Sequence, residues 1–469
     1  MRKAPEFPRA MIDISKEGRN MDILKMFVEE TEISRKFERN FGLEQIRVYC
    51  CKLGKRVAIP PSFFQRIFML KKRKPLSVDE KVGEISGNYT LLNGVQINLN
   101  KVQRESVRNA FLKVSIIQGA SGTGKTTVLS AIIYEYVLRN YEVVCVASTN
   151  CAVRRIAEGL EGWVSDDKLC LKVGYEYLAF FEDELYSGDR MKEICTQMRD
   201  TDVSIMTLGA AIKLFEEGAT ESDSNTKRNK CRRALIIDEA SQVWEMYGAI
   251  LLSVMQKFDL FVICGDSKQL KPYVSLTYGN AVSILDWGLR INDIQRTFLD
   301  VQLRMEFDMG MMISKSFYMG RIKQGKKDKG ICSMTFVDVS NGGNEDKNGS
   351  CYRHSETIEA VKLYHELNKQ GIEVQILTFF TAQQKDIRDN DNLVRVCNVD
   401  SYQGQETDAV IVCLSARGSR ITPFMRESGR VNVALSRAKK KLFVLGHRSS
   451  YRREPLWKPI IKRMRCVRA

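Results

Sequence analysis

No stretch of this chain approaches the roughly 18 uninterrupted apolar residues that a bilayer-crossing helix needs, so no membrane span is expected. The opening residues, Met1 to Ala10, lack an apolar core and do not read as a secretory signal. The thirteen cysteines never form a C-x-x-C pair; Cys50 and Cys51 are adjacent, and Cys351-x-x-His354 has no second half. That scatter argues against a zinc site or a disulfide framework, and for reduced, structural thiols in the cytoplasm or nucleus. No internal repeat or long low-complexity tract interrupts the chain.

Positive charge is what the chain has in excess. Its 73 Lys and Arg against 57 Asp and Glu give a formal net charge of +16. The pI of about 9.2 agrees. Such a balance points to a polyanionic partner, nucleic acid before an anionic membrane surface. The 44% apolar fraction is ordinary for globular proteins. A length of 469 residues corresponds to about three domains.

One stretch organises the rest. Val114, Ile116 and Ile117 read as a buried strand, and Thr127 to Val137 has helical spacing. Between them, Gly119-Ala-Ser-Gly-Thr-Gly124-Lys125-Thr126 fits G-x-x-x-x-G-K-[ST]. Gly119, Gly122 and Gly124 allow a tight turn that points N–H groups at phosphate oxygens. The following helix N-terminus adds its positive dipole end. Lys125 reaches the β- and γ-phosphates of a bound nucleotide, and Thr126 offers a hydroxyl to Mg²⁺. A second signal is Ala234 to Gln242, ALIIDEASQ. Asp238, at the end of a buried strand, is a candidate Mg²⁺ holder, and Glu239 is placed to orient or deprotonate the attacking water.

Other features are read around these two. Residues 1–97 form an accessory region, with a hairpin expected over Ile46 to Ile59, turning at Leu53-Gly54-Lys55. Lys71 to Lys74 is a basic run, either a phosphate contact or a solvated face. Ser86-Gly-Asn-Tyr is a turn signal. Asn100 is a candidate helix N-cap, and Gln103 carries an amide able to read an adenine edge. Ser148, Thr149 and Asn150 follow a strand, where such groups hold a phosphate backbone or cap a helix. Glu161 to Arg233 reads as a partly helical insertion with a flexible loop at Glu221 to Lys227, and Asp202 to Thr207 as a strand. Leu260 to Pro272 repeats strand and polar turn, with Asp266 and with Gln269 as a γ-phosphate sensor. Beyond Leu299, strands over 371–380, 394–399, 408–414 and 441–446 alternate with helices over 356–369 and 432–440. That is a second α/β unit without its own phosphate loop, and it supplies Arg304, Arg430 and Arg437. The basic segment Arg448 to Ala469, with Tyr451 and Trp457 interleaved, reads as a phosphate contact or a solvated helix.

Taken in order, these motifs resemble the superfamily 1 helicases, in the branch of the nonsense-mediated-decay helicase and senataxin. Gln103 is similar to the adenine-reading motif, Gly119 to Thr127 to the phosphate loop, and Ala147 to Val153 to the first strand-contact motif. Asp238-Glu-Ala-Ser-Gln242 and Gly265-Asp-x-x-Gln-Leu-x-Pro272 match this branch, and Gln302-Leu-Arg-Met305 is similar to Q-Y-R-M. Thr378 to Gln383, Val399 to Asp408 and Arg430 to Lys439 resemble the later motifs, the last carrying an arginine finger. Leu303 stands where the family has Tyr, and Phe379 where it has Pro.

The resemblance implies an α/β fold of two tandem RecA-like domains with parallel sheets, over 98–298 and 299–450, with a basic tail at 451–469. It implies an ATP site of Gln103, Gly119, Gly122, Thr123, Gly124, Lys125, Thr126, Thr127 and Glu406. Mg²⁺ would sit on Thr126 and Asp238; Lys125, Glu239, Gln269, Arg304 and Arg437 would act in hydrolysis. Ser148, Asn150, Thr207, Thr378, Gln383 and Ser401 would face single-stranded RNA or DNA. The implied activity is ATP-dependent 5′ to 3′ translocation and unwinding by a monomer, RNA ahead of DNA. An ATP-gated clamp that binds RNA and recruits partners without processive unwinding is the second reading.

Overall fold

A computed structural model describes residues 85–164, 169–172, 198, 201–216, 232–254, 258–272, 282–291, 294–327, 330, 332–340, 345–347, 350–416 and 421–469. The expected Ile46–Ile59 hairpin, the Lys71–Lys74 run and the loop at 221–227 lie outside these residues. The chain divides into two compact units. The first holds the described residues up to Gln118, with Thr126–Gly265 and Lys271–Thr297; the second holds Gly119–Lys125, Asp266–Leu270 and Phe298–Ala469.

A seven-stranded sheet forms the first unit's frame, in the order Leu169–Lys172, Val203–Thr207, Tyr141–Ala147, Arg232–Asp238, Leu260–Gly265, Val114–Gly119, Gln295–Leu299. The pairings from Leu169–Lys172 across to Val114–Gly119 are parallel. Central strands such as LFVIC are buried at every position, because helices cover both faces of a parallel sheet. Ile116, Val144, Leu235, Ile237 and Ile263 meet in the core below. The Lys125–Leu138 helix is buried over most of its length, and Asn140, at φ 55°, turns the chain left-handed after it. Gly87, at φ 71°, leads into an antiparallel hairpin, Asn88–Thr90 with Gln96–Asn98. Asn100 then caps the Lys101–Asn109 helix in a capping box with Gln103.

The second unit carries a six-stranded, wholly parallel sheet in the order Val396–Asn398, Val374–Thr378, Thr407–Cys413, Ala438–Gly446, Met334–Asp338, Arg465–Arg468. Together the sheets give the α/β fold with two RecA-like domains. Two details differ from the sequence reading. The expected helix over 432–440 is a helix over Ser428–Leu435 followed by the strand Ala438–Gly446, because that strand has a neighbour on each side to satisfy its backbone. The C-terminal segment is folded rather than a tail. Tyr451 and Trp457 are core residues, Trp457 donating to the Met425 carbonyl at 3.1 Å, and Arg465–Arg468 is the sheet's edge strand. Exposed arginines on an edge strand discourage pairing with other chains.

Arg353 and Glu356 form a fully buried pair at 2.8 Å, and the Ser415 amide donates to the other Glu356 oxygen at 2.9 Å. Burial pushes this carboxyl from 4.5 up to about 7, against the lowering pull of Arg353. A folded-state value raised above the unfolded one gives stability that is complete below pH 4.5 and is lost as pH rises through about 7. Unfolding free energies measured between these limits should therefore show a decline that Glu356→Gln removes. An identical slope in wild type and variant would refute the assignment.

Candidate functional site

The carboxyl ends of neighbouring strands gather the phosphate-loop chemistry, as open parallel sheets do. Gln118 pairs with Gly265, and Ala147 with Asp238. In the loop, Gly122 and Gly124 have φ of 76° and 85°, which L side chains adopt only under strain. A Cβ on Gly122 would stand 2.6 Å from Cβ of Arg304, and one on Gly119 would stand 2.5 Å from Oγ1 of Thr123. Thr123 donates to the Ala120 carbonyl at 2.9 Å. Lys125 Nζ is folded onto its own loop, donating to the carbonyls of Gly119 (2.9 Å) and Ala120 (3.3 Å).

Within the second unit, two of the three arginines named from the sequence reach this loop. Arg304 donates to Oγ of Ser121 and pairs with Glu406. Arg437 donates to the same oxygen at 2.8 Å, and its remaining N–H groups reach the carbonyls of Val433 and Gln405 and the Ser436 hydroxyl. Lys439 lies 3.3 Å from Glu406. Arg430 is held elsewhere, by Asp400 at 2.7 and 3.0 Å. In the turn after Leu260–Gly265, Asp266 is buried and accepts from Gln269 Nε2 at 2.9 Å and the Lys268 amide at 3.0 Å. Burial raises the Asp266 pKa, while Lys125 nearby and these donors pull it down.

Within the first unit, Asp238 ends its strand and Oδ1 accepts the Glu239 amide at 2.8 Å. Glu239 sits at φ 48°, a conformation that costs about 1–3 kcal/mol for a non-glycine residue and gathers at functional sites. Arg155 approaches its carboxylate at 3.5 Å. Thr126 packs its methyl against Gly159, and Thr127 is half-buried. The Thr126 hydroxyl and the Asp238 carboxylate are oxygen donors of the kind Mg²⁺ takes, one or two from protein beside the phosphates. That donor set fits the implied cation. Gln103 is buried, and its amide oxygen accepts the Asn100 N–H at 3.0 Å, so the capping box fixes how the amide faces.

The strand-facing candidates divide. Asn150 and Ser401 are exposed and Ser148 is half-buried, with Ser148 donating to Gln242 at 2.9 Å and Ser401 to the Asn398 carbonyl at 2.8 Å. Thr149, beside them, is a helix cap. Thr207 is largely buried and caps its own helix through the Ala210 amide. Thr378 and Gln383 differ from the expectation of exposed contacts: both are fully buried. Thr378 donates to Asn398 at 3.0 Å, and Gln383 bridges the Arg353 amide (2.8 Å) and the Thr357 hydroxyl (2.7 Å). Thr378 thus ties two neighbouring strands together, and Gln383 ties the Thr381–Asn390 helix to the start of the His354–Lys369 helix. Ser121 and Arg155 were not anticipated. Ser121 occupies a free position of the loop pattern, and Arg155 lies a turn past the Ser148–Asn150 cluster, so no local pattern marks either.

The fold and this loop define a phosphate-loop nucleotide protein of RecA type. Two AAA domain family profiles match in tandem, one over residues 103–275 and one over 281–449. ATP-dependent helicase NAM7 of Saccharomyces cerevisiae is 25% identical over 429 residues, covering 77% of this chain and 43% of that protein. Regulator of nonsense transcripts 1 of Caenorhabditis elegans is 27% identical, with 77% and 39% covered. DNA replication ATP-dependent helicase/nuclease DNA2 of Mus musculus is 24% identical, with 76% and 38% covered. The chain thus spans about two fifths of the length of these relatives. The tandem profiles and these relatives support a superfamily 1 helicase of the nonsense-mediated-decay type.

Gly122→Ala should strain the loop and press on Arg304, lowering unfolding free energy by about 1–2 kcal/mol and weakening nucleotide affinity. Chemical denaturation and titration of a fluorescent ATP analogue measure the two effects; wild-type values in both would contradict the cradle.

Proposed function

We propose that this chain is an ATP-driven motor that moves 5′ to 3′ along single-stranded nucleic acid, RNA ahead of DNA, and parts duplexes as it goes. The observation that supports this most is the meeting of Arg304 and Arg437 on the Ser121 hydroxyl of the phosphate loop. Two guanidinium groups on that loop suit a transferring phosphoryl group.

In this reading Lys125 exchanges the Gly119 and Ala120 carbonyls for β- and γ-phosphate oxygens. Thr126 and Asp238 hold Mg²⁺, which supplies charge neutralisation at the phosphates. Glu239 takes a proton from water as the new O–P bond forms and the bond to the bridging oxygen of ADP breaks. Gln269 orients the γ-phosphate, Arg304 and Arg437 stabilise its charge, and Glu406 keeps Arg304 in place. Gln103 reads the base, and Leu303, half-exposed, offers packing without ring stacking. Thr123 and Thr127 line the loop. Residues 98–298 and 299–450 act as the motor domains of a monomer. Ser148, Asn150, Thr207 and Ser401 contact the strand. The RNA preference follows the slightly higher identity to a protein named for transcripts than to one named for DNA replication.

Lys125→Ala and Glu239→Gln should each lower strand-stimulated ATP turnover by at least about a hundredfold. Arg437→Ala should lower kcat by about a thousandfold and leave KM for ATP within a few-fold. Turnover on matched RNA and DNA strands, and displacement from 5′ and 3′ overhangs, test substrate and direction. Stimulated turnover with no displacement from either overhang would favour the ATP-gated clamp. Affinity for the strand should fall steeply from about 50 to about 200 mM salt; a flat profile would argue against a basic track.

A further inference from the structure

Tyr318 belongs to none of the motifs, yet it stands between two of them. It follows the Phe307–Phe317 helix and is 3% exposed. Its hydroxyl donates to Oδ2 of Asp266 at 2.5 Å and accepts from Nδ2 of Asn432 at 2.9 Å. The same Asn432 amide donates to the Lys268 carbonyl at 2.8 Å. That carbonyl accepts only, so it fixes which end of the Asn432 amide faces the turn, and the tyrosine's one proton is left for the carboxylate. A second contact lies one turn earlier on the Ser428–Leu435 helix. A Cβ on Gly429 would stand 2.4 Å from the Gln269 carbonyl oxygen, so helix and turn touch backbone to backbone. All of these residues lie within the second unit.

The joined parts are chemically distinct. The Asp266–Leu270 turn carries Gln269, which Asp266 holds through Nε2. The Ser428–Leu435 helix leads directly into Arg437, whose Nε donates to the Val433 carbonyl of that helix at 3.0 Å. We propose that Tyr318 is a positioning residue that locks the Asp266–Leu270 turn to the Ser428–Leu435 helix, so that Gln269 and Arg437 are brought to the nucleotide as one piece. Burial raises the tyrosine's pKa well above its ordinary value, which keeps the bridging proton in place. This inference rests on the ATP-motor reading above.

Tyr318→Phe removes the hydroxyl and nothing else; Asn432→Asp breaks the same link from its other side, since a carboxylate donates to neither Tyr318 nor Lys268. In the full chain, amide hydrogen exchange at Lys268 and Gln269 should quicken about tenfold in both variants. Strand-stimulated kcat should fall about tenfold in both, with KM for ATP within twofold and, in Tyr318→Phe, which buries no new charge, the unfolding midpoint little changed. Exchange at wild-type rates, or kcat at the wild-type value, overturns the proposal. So does a kcat loss that arrives with a raised KM and a lowered midpoint, the mark of general damage. A wild-type chain that shows no stimulated turnover defeats the motor reading instead, and the exchange rates then decide the Tyr318 link alone.

Discussion

Positive charge pressed onto one short loop is the constraint that the rest of the structure serves. Lys125 lies on two carbonyls of the loop itself, and Arg304 and Arg437 share the Ser121 hydroxyl. Arg437 is 2% exposed, and taking a guanidinium out of water costs several kcal/mol unless its N–H groups are all met. Here they are met by two carbonyls and two hydroxyls, neutral partners that satisfy geometry without cancelling charge. Glu406 pairs with Arg304 and Lys439 and is partly exposed. Lys125 and Arg437 thus donate to neutral oxygen atoms, while Arg304 shares its charge with the Glu406 carboxylate.

The strand that runs into that loop belongs to the first unit's sheet. The parallel sheet brings the ends of Val114–Gly119, Leu260–Gly265 and Arg232–Asp238 side by side, and each end hands over to polar chemistry at once. The transition at Asp238 is abrupt enough to leave Glu239 in the left-handed region. A buried glutamate at φ 48° persists only because its neighbours over-determine it: the Asp238 carboxylate takes its amide, and the Ala240 amide binds the Cys264 carbonyl at 2.9 Å. A carboxylate whose backbone is clamped on both sides does not wander when the groups around it change.

What was legible in the chain was whatever is written contiguously. The phosphate loop, the Asp238-Glu239 strand end and the Asn100–Gln103 capping box each depend on neighbours in sequence, so residue type and spacing carry the information. Most strands of both sheets were legible too, because a parallel strand is buried on two faces and reads as an apolar run. The misreadings have a common cause. The basic segment with Tyr451 and Trp457 interleaved looks like a phosphate contact or a solvated helix until the second unit's core takes both rings in. Thr378 and Gln383 look like strand contacts until Asn398, Arg353 and Thr357 arrive from elsewhere to use their hydrogen-bonding capacity. Polar residues announce that they need partners, not which partners they will have.

The same reasoning explains why Tyr318 and Asn432 are silent in the sequence while the residues they join are conspicuous. A motif is a cluster of groups whose chemistry is needed at one point, and it recurs as a pattern because the point is small. What ties two such clusters together has only to span the distance with one donor and one acceptor in the right order, and many residue types in many places can do that. In this chain the span is a phenol lying between a carboxylate and an amide, 52 residues from one and 114 from the other. Because that phenol has a single proton, and the amide it meets is oriented by the Lys268 carbonyl, the chain of donors runs one way, from Asn432 through Tyr318 to Asp266. The turn that carries Gln269 and the helix that leads to Arg437 are thereby given one position between them rather than two independent ones, and it is this loss of independence, more than any single contact to phosphate, that lets chemistry at a loop be felt along a helix.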